Sequence, residues 1–482
     1  MPIANYQTPG VYVTQGANPA VNSVSSTALN ICYLGYVPPS GYPTNSQTDV
    51  FQYTTASGGS QTFTLSTSGT VTNFSLINNI TGVPITASGN YTGPATVSGV
   101  TTISTVSGST TFVQNSTWVS ASYNYTTVVP GQTVSFTDFN SVQNLFGPAF
   151  TYTNGSPTIN SPCTLAAYLA FLNGAQLVSC QNIVASGSGS NQDFLNAIQS
   201  FAGTEGIDVF VPLIYDTQYN TQSTGTLFKG MSYFFNAQAA NGIYQRGFIG
   251  MDSSVTNLVN TASAITADLQ STRMTLAAPN VMTYNPGVNT TTGLTTGTVQ
   301  IPGYYLAAAL AGLFVGQRDV YVPITNKAVT GFAGVPDQIT SANSTTLQSY
   351  GVTVARQQTN GNTVVRQGLT TDTTNWITQE LSIQAIGDRL ANVLHYNLSN
   401  STLIGSPLTN ATLSTLQSYV LSILSAEKSN GLIQAFTTPT YSQDPNNLTR
   451  VNVAFQYSPT LPLNYINIAF SINTSTGALQ LI

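Results

Sequence analysis

A nucleophilic triad needs a histidine to carry the proton, and the chain has one, His395. It falls inside a stretch of helical periodicity, Trp376 to Leu398, remote in sequence from the segments that alternate strand and helix. A Ser-His-Asp site would have to be assembled across domains. Asp216 and Asp252 fall at the ends of expected strands, where α/β enzymes set catalytic groups, and could be imagined as a glycosidase pair. Capping a helix or closing a turn asks less of them. Gly187-Ser188-Gly189 stands between an expected strand and helix, as a dinucleotide loop does. Gln192 occupies the place of the third glycine, however, and no acidic residue follows at the second strand end, so the segment reads as a turn. Cys32, Cys163 and Cys180 are too few and too irregularly spaced for a zinc site or a disulfide framework, and their apolar surroundings predict core thiols. Without a P-loop, a calcium loop or a metal-spaced cluster, the residues predict no catalytic site, no metal and no cofactor.

The elements that would have to position such groups are legible from periodicity. Helices are expected at Thr164 to Asn173, Asn191 to Ala202, Tyr233 to Gly242 and Val255 to Gln270. Between them lie strands at Gln176 to Ala185, Ile207 to Ile214, Arg246 to Met251 and Arg273 to Tyr284, after an earlier buried strand at Ala28 to Val37. This alternation predicts a layered α/β core with a largely parallel sheet. The run Tyr304 to Val315 is apolar throughout but shorter than the roughly 20 residues a bilayer span requires, so it reads as a buried helix and no membrane span is expected. From Asn45 to about Gln132 the composition shifts to Thr, Ser, Gly and Asn around short alternating runs, which predicts an all-β insertion.

At 482 residues the chain has room for two to four domains. Its charged content is only 5%, so the polar surface must be built from Thr, Ser, Asn and Gln. No Lys or Arg precedes Lys229, and the net charge of −5 resides in the N-terminal half. No basic patch is available to neutralise phosphates, which disfavours a nucleic-acid partner. The first charged residue of either sign is Asp49, so no secretory leader is expected.

Beyond Gly351, two alternating runs, Val352 to Gln357 and Thr363 to Gln367, flank Asn360-Gly361 and predict a β-hairpin. A helix follows, capped within Asp372 to Asn375, whose stripe of Trp376, Ile383, Ile386, Leu390, Val393 and Leu394 must be buried. A second helix is expected from Asn410 to Asn430, then strands at Arg450 to Tyr457 and Tyr465 to Ile472. Together these make an α+β module. Glu380, Asp388, Arg389, Glu427 and Lys428 lie on its two helices and could steer docking to a partner. Two strands lack a sequence-adjacent partner. One is Gly10 to Thr14, with Gly10, Val11, Tyr12 and Val13; the other is the last strand, with Ile466, Ile468 and Phe470, after which the chain runs out in a Gly/Ser/Thr tail. Such strands either pair with each other or are lent to neighbouring chains.

Set in order, these pieces resemble the contractile tail sheath proteins of bacteriophages, related to the sheaths of R-type pyocins and type VI secretion. The resemblance rests on Thr8 to Val13, the strand at Ile31 to Val37, Phe136 to Gly147, Ala166 to Ala185 with Phe171 to Gly174, Ile301-Pro302-Gly303 leading into the Ala307 to Gly316 helix, Val364 to Thr371 and the final strand pair. It implies an N-terminal arm (1–20), a subtilisin-like α/β core without the protease's function (21–44 and 133–345), an outer β-rich insertion (45–132), an inner α+β domain (346–462) and a C-terminal arm (463–482). It further implies hexameric rings stacked helically around a tail tube, joined by arms that add strands to neighbouring sheets. Baseplate and tail terminator proteins would be further partners. The subunit would be assembled in the host cytoplasm, reside in the virion, and contract to drive the tube through the host envelope. The tube-facing charges would come from Glu380, Asp388, Arg389, Glu427 and Lys428. The readings set against this are a secreted adhesin or surface-layer protein and an α/β hydrolase.

Overall fold

The alternation that begins at Asn30 folds into one eight-stranded sheet with helices on both faces. The computed structural model describes residues 29–37, 45–55, 59–66, 70–79, 81, 83–97, 100–114, 117–126, 131–153, 156–183, 191–287, 297–335, 339–359, 361–466, 468, 470–472 and 479–481. In chain order the core elements are β1 (Asn30–Tyr36), β2 (Thr133–Phe136), α1 (Phe139–Phe146), α2 (Pro162–Leu172), β3 (Leu177–Ile183), α3 (Asn191–Gln199), β4 (Val209–Pro212), α4 (Leu227–Ala240), β5 (Arg246–Gly250), α5 (Leu258–Leu269), β6 (Met274–Ala278), α6 (Tyr304–Val315), α7 (Ser341–Ser349), β7 (Val352–Gln357) and β8 (Thr363–Val365). The sheet order is β8-β7-β6-β5-β4-β1-β3-β2, parallel from β7 to β3 and antiparallel at both edges.

Alternation along β1 sorts its side chains between two cores: Ile31 and Tyr33 face α2 and α6, while Cys32 and Leu34 face α3, α4 and α5. The apolar run Tyr304 to Val315 is the buried helix expected, enclosed between the sheet and α2. Its small residues permit a close crossing, since a Cβ on Gly312 would lie 2.6 Å from Ala170 Cα. The cysteines are buried core thiols, and burial pushes the Cys32 thiol up.

Two core expectations change. The strand expected from Arg273 to Tyr284 is cut at Pro279, which has no N–H to give a ladder. Its second half, Val281–Tyr284, leaves the sheet to pair antiparallel with Val299–Pro302. The hairpin around Gly361 forms, but it joins the core rather than opening the C-terminal module. β7 runs parallel to β6 through Leu276–Val352 and Ala278–Val354, and Val352 to Ala355 are all buried. Four consecutive buried residues mark a strand covered on both faces.

Between β1 and β2 the chain builds a separate two-sheet body. A four-stranded antiparallel sheet has the order Asn45–Gln52, Trp118–Thr126, Thr70–Asn78, Pro84–Ile85, and a three-stranded one has the order Thr62–Thr64, Val100–Thr105, Tyr91–Val97. Their shared core includes Tyr53, Phe63, Leu76, Ile103, Val119 and Tyr123.

The C-terminal unit comprises α8 (Trp376–Gln379), α9 (Leu381–Ser399), α10 (Asn410–Ser429), β9 (Ile433–Phe436), β10 (Thr440–Gln443), β11 (Val451–Ala454) and β12 (Tyr457–Pro459). β9 pairs with β12 and β10 with β11; β11 lies within the strand expected at Arg450 to Tyr457, whereas β9, β10 and β12, which runs on to Pro459, were not expected. Ile386, Leu390, Leu394, Val420, Leu424 and Ile433 form its core. The expected single helix is broken at Glu380, whose extended backbone separates α8 from α9, and Trp376 is therefore 60% exposed instead of on the buried stripe. The last strands, β13 (Phe470–Ile472) and β14 (Leu479–Leu481), pair antiparallel, so the final strand does have a sequence-adjacent partner.

Candidate assembly surface and the joint behind it

Two features stand apart from ordinary packing: an exposed apolar segment whose backbone bonds to no described residue, and a buried ionic joint between core and C-terminal unit. The segment follows β12. Thr460 is still held, its N–H donating to Leu432 O at 3.2 Å. From Leu461 to Ile466, and at Ile468, the backbone makes no hydrogen bond to a described residue. Leu463, Tyr465, Ile466 and Ile468 are 78%, 75%, 72% and 71% exposed. Four large apolar side chains in a row on unpaired backbone mark a surface made to be covered.

The root of this segment is fixed by Glu380. Its Oε2 accepts from Asn464 Nδ2 at 3.0 Å and Gln367 Nε2 at 3.1 Å, and its Oε1 from Ser382 Oγ at 3.2 Å. The Tyr465 hydroxyl donates to Gln367 Oε1 at 3.1 Å. Burial raises the Glu380 carboxyl pKa, while these hydrogen bonds pull it down.

The joint is built on Asp388 of α9. Arg273, just before β6, grips it with both guanidinium nitrogens, Nη1 to Oδ2 at 3.1 Å and Nη2 to Oδ1 at 3.0 Å. Arg246, the first residue of β5, bonds the same Oδ2. The three side chains are 6%, 7% and 13% exposed for Arg273, Arg246 and Asp388. Burial lowers the Arg246 pKa, and the Asp388 charge opposes that shift. Tyr244 lies under the Arg273 guanidinium, 4.9 Å from ring centroid to Cζ, and packs with Ala239 and Ala391.

These contacts revise the charged set expected to face a partner. Glu380 and Asp388 have their carboxylates turned inward onto this chain's own amides and guanidiniums. Arg389 and Glu427 are half-buried and attract each other across the two helices, whereas Lys428 is exposed. Ile466 and Ile468 are in the open, Phe470 begins β13, and Gly10, Val11, Tyr12 and Val13 lie outside the described residues.

The candidates for chemistry are each engaged in local structure, although Asp216 and Asp252 both act on the Tyr215 hydroxyl. Asp216 is wholly buried, its Oδ2 accepting from the Leu227 and Phe228 amides at 2.8 and 3.3 Å at the start of α4, and its Oδ1 from Asn191 Nδ2 at 2.6 Å. Asp252 closes a turn, accepting from Ser254 N and Oγ at 2.9 and 2.6 Å. His395 lies on α9 in the C-terminal unit, its Nε2 3.1 Å from the Ser399 hydroxyl one turn on. Residues 187–189 lie outside the described residues.

No family model matches the chain. A tail sheath protein of Mycobacterium phage Bxz1 is 27% identical over 362 residues, which are 74% of this chain and 59% of that protein. The chain therefore spans less than two thirds of that relative's length. Among solved structures, a chain of the anti-feeding prophage baseplate superposes with a TM-score of 0.56 at 14% identity, covering 98% of this chain and 100% of its own. The helical sheath of the anti-feeding prophage in its contracted state gives 0.54 at 12% identity, covering 97% and 100%. This is the fold of a contractile sheath subunit. The sheath fold accounts for the mixed α/β architecture of several bodies, and the exposed Leu463 to Ile468 segment and the Asp388 joint are features of this chain within it. No helix among the described residues is long and apolar enough to cross a membrane.

Proposed function

We propose that the chain is the structural subunit of a contractile phage tail sheath, stacking as hexameric rings around a tail tube and contracting to drive that tube through the host envelope. The observation that carries the reading is the unpaired segment from Leu461 to Ile468 on a chain of sheath fold. Burying each of its large apolar side chains stabilises by about 1.5–3 kcal/mol, and a partner strand lent by another copy would also satisfy the backbone. In this reading residues 463–482 are an arm lent to a neighbour, with Ile466, Ile468 and Phe470 in the added strand, and residues 1–20, with Gly10 to Val13, are the reciprocal arm. The body is a core of subtilisin-like topology, residues 21–44 and 133–345 extended through the β7–β8 hairpin. Residues 45–132 form its outward insertion, and the remainder of 346–462 is the inner domain. Lys428, with Arg389 and Glu427 beside it, is left to meet the tube. Baseplate and terminator proteins bound the stack, which is assembled in the host cytoplasm and resides in the virion, and the subunit itself catalyses nothing.

Electron microscopy of the purified full chain tests this. Wild type is expected to form rings or tubes without any ligand, and I466D/I468D to remain dispersed while keeping its circular dichroism spectrum. Tubes of unchanged order from the double variant would remove the segment from the assembly mechanism.

A further inference from the structure

We infer that the chain carries a binding site for an oxyanion, of the carboxylate or phosphate class, at the start of α7 between that helix and the β7–β8 hairpin. A cavity of about 250 Å³ lies there, lined among others by Thr340, Ser341, Ser344, Arg356, Gln357 and Arg366. Among the described residues, no acidic side chain lines it. In a chain with ten basic residues, two stand in one cavity.

Two of the side chains around it, Ser344 and Arg356, have no acceptor among the described residues. Ser344 is 1% exposed and its Oγ has no hydrogen-bond partner. Its neighbours behave differently: the Thr345 and Thr346 hydroxyls turn back onto the Ser341 and Ala342 carbonyls at 3.0 and 3.1 Å, the usual recourse of a hydroxyl on a helix. A buried hydroxyl left unmade is unfavourable unless something else fills the site. Arg366 is held in place, its Nη2 donating to Thr345 Oγ1 at 3.2 Å. The Arg356 side chain has no partner among the described residues. The Thr340 side chain caps Asn343 N at 3.1 Å, which leaves the first two amides of α7 free of an intrahelical acceptor at the positive end of the helix dipole. Two guanidiniums, a hydroxyl and helix-terminal amides converging on one cavity are the donor set that oxyanions select.

The oxyanion could be a free ion or the acidic side chain of a second copy, and the test separates the two. Thermal unfolding of the full chain is followed against sodium phosphate and sodium acetate, with sodium chloride at matched ionic strength as the control. Arg356→Gln is the variant of choice because its side chain bonds to no described residue. A free ion predicts a saturable rise in Tm for wild type and an affinity roughly tenfold or more weaker in R356Q, the usual effect of losing a charge-assisted hydrogen bond. Ser344→Ala should leave the ligand-free Tm equal or higher while also weakening the response. A second copy as the source predicts no response of dispersed wild type to either ion, together with a raised critical concentration for self-association in R356Q. The inference is overturned by a phosphate response that R356Q retains in full, or by no response combined with self-association that R356Q leaves unaltered.

Discussion

Replacing Asp388 by alanine should undock the C-terminal unit from the core. Arg246 and Arg273 are 7% and 6% exposed at their side chains and share this one carboxylate as ion-pair partner. Its removal leaves two buried cations without a carboxylate at ion-pair distance, the charge of Asp208 reaching Arg246 only from further off. Breaking a buried pair from one side costs about 3–5 kcal/mol, or roughly two to three and a half decades in the equilibrium between docked and undocked states. Two stranded guanidiniums place Asp388→Ala towards the upper end. Asp388→Asn, which keeps one acceptor oxygen and the volume, belongs nearer the lower end. The tryptophans separate the bodies, Trp118 lying in the insertion and Trp376 on α8, which opens the C-terminal unit. Urea titration of a Trp118→Phe background therefore follows the C-terminal unit, and unfolding in more than one step is expected from a chain of several bodies. The first transition should move to lower urea in D388A by that energy, with the transition of the insertion, read from Trp118 in a separate Trp376→Phe background, unmoved. The triple replacement R246M/R273M/D388L removes all the charges at once and should restore stability to near wild type or above it. A D388A shift worth under about 1 kcal/mol, the size of an exposed ion pair, would refute the reasoning, since it would mean that water reaches the cluster.

Other predictions follow from the packing and from the arm root. Gly312→Ala places a Cβ 2.6 Å from Ala170 Cα and 2.8 Å from Ala170 O, both backbone, so α2 and α6 must separate; overpacking of this kind costs about 1–3 kcal/mol and should lower Tm measurably in calorimetry. Glu380 has its folded pKa raised by burial above the ordinary 4.5, so its protonated form is the one the fold favours. Its stabilisation is full below the unfolded pKa and is lost as pH rises through the folded value. Hydrogen exchange at the Thr460 amide, which donates to Leu432 O where the segment leaves the body, should therefore be slower in mild acid than at neutrality, once corrected for intrinsic rates. Glu380→Gln should abolish that dependence, and an identical profile in both proteins would show that Glu380 does not govern the root.

How far the sequence could be read depended on whether the signal was local. The helix α6 was legible because a run without a polar face has only one place to go, and α10 because its apolar stripe is regular. The β7–β8 turn was legible from Asn360-Gly361, and Gly361 has the positive φ of 85° that the turn demands. Which sheet the hairpin joins was not, because alternation reports what is buried and not against what. The clue lay in Val352 to Ala355, buried on both faces, which only a central strand requires. The helix α7, Ser-Ala-Asn-Ser-Thr-Thr-Leu-Gln-Ser, carries no apolar period, with Leu347 its one buried large side chain, so composition reads it as loop. The partners of Asp388 lie 142 and 115 residues away, and no spacing rule reaches that far. Among charges singled out for their scarcity, burial could not be told from exposure without the fold.

The placement of those charges carries an argument about the subunit as a moving part. With a surface of Ser, Thr and Asn, the chain does not depend on charge for its polar exterior, and several of its ionisable groups sit where one body meets another. Asp388 holds α9 to the starts of β5 and β6, Glu380 holds the arm root to the body, and Asp216 holds the start of α4 beside the turn after β4. Apolar contact of the same area would hold these bodies as firmly but would let one slide over the other, because the hydrophobic effect has no direction. A bidentate guanidinium–carboxylate fork fixes an angle as well as a distance. If rigid transmission is what the joint is for, the charge-free triple variant should be stable yet orient its C-terminal unit less sharply against the core, which small-angle scattering reads as a broadened distance distribution. A triple variant as sharply oriented as wild type would assign the joint to stability alone.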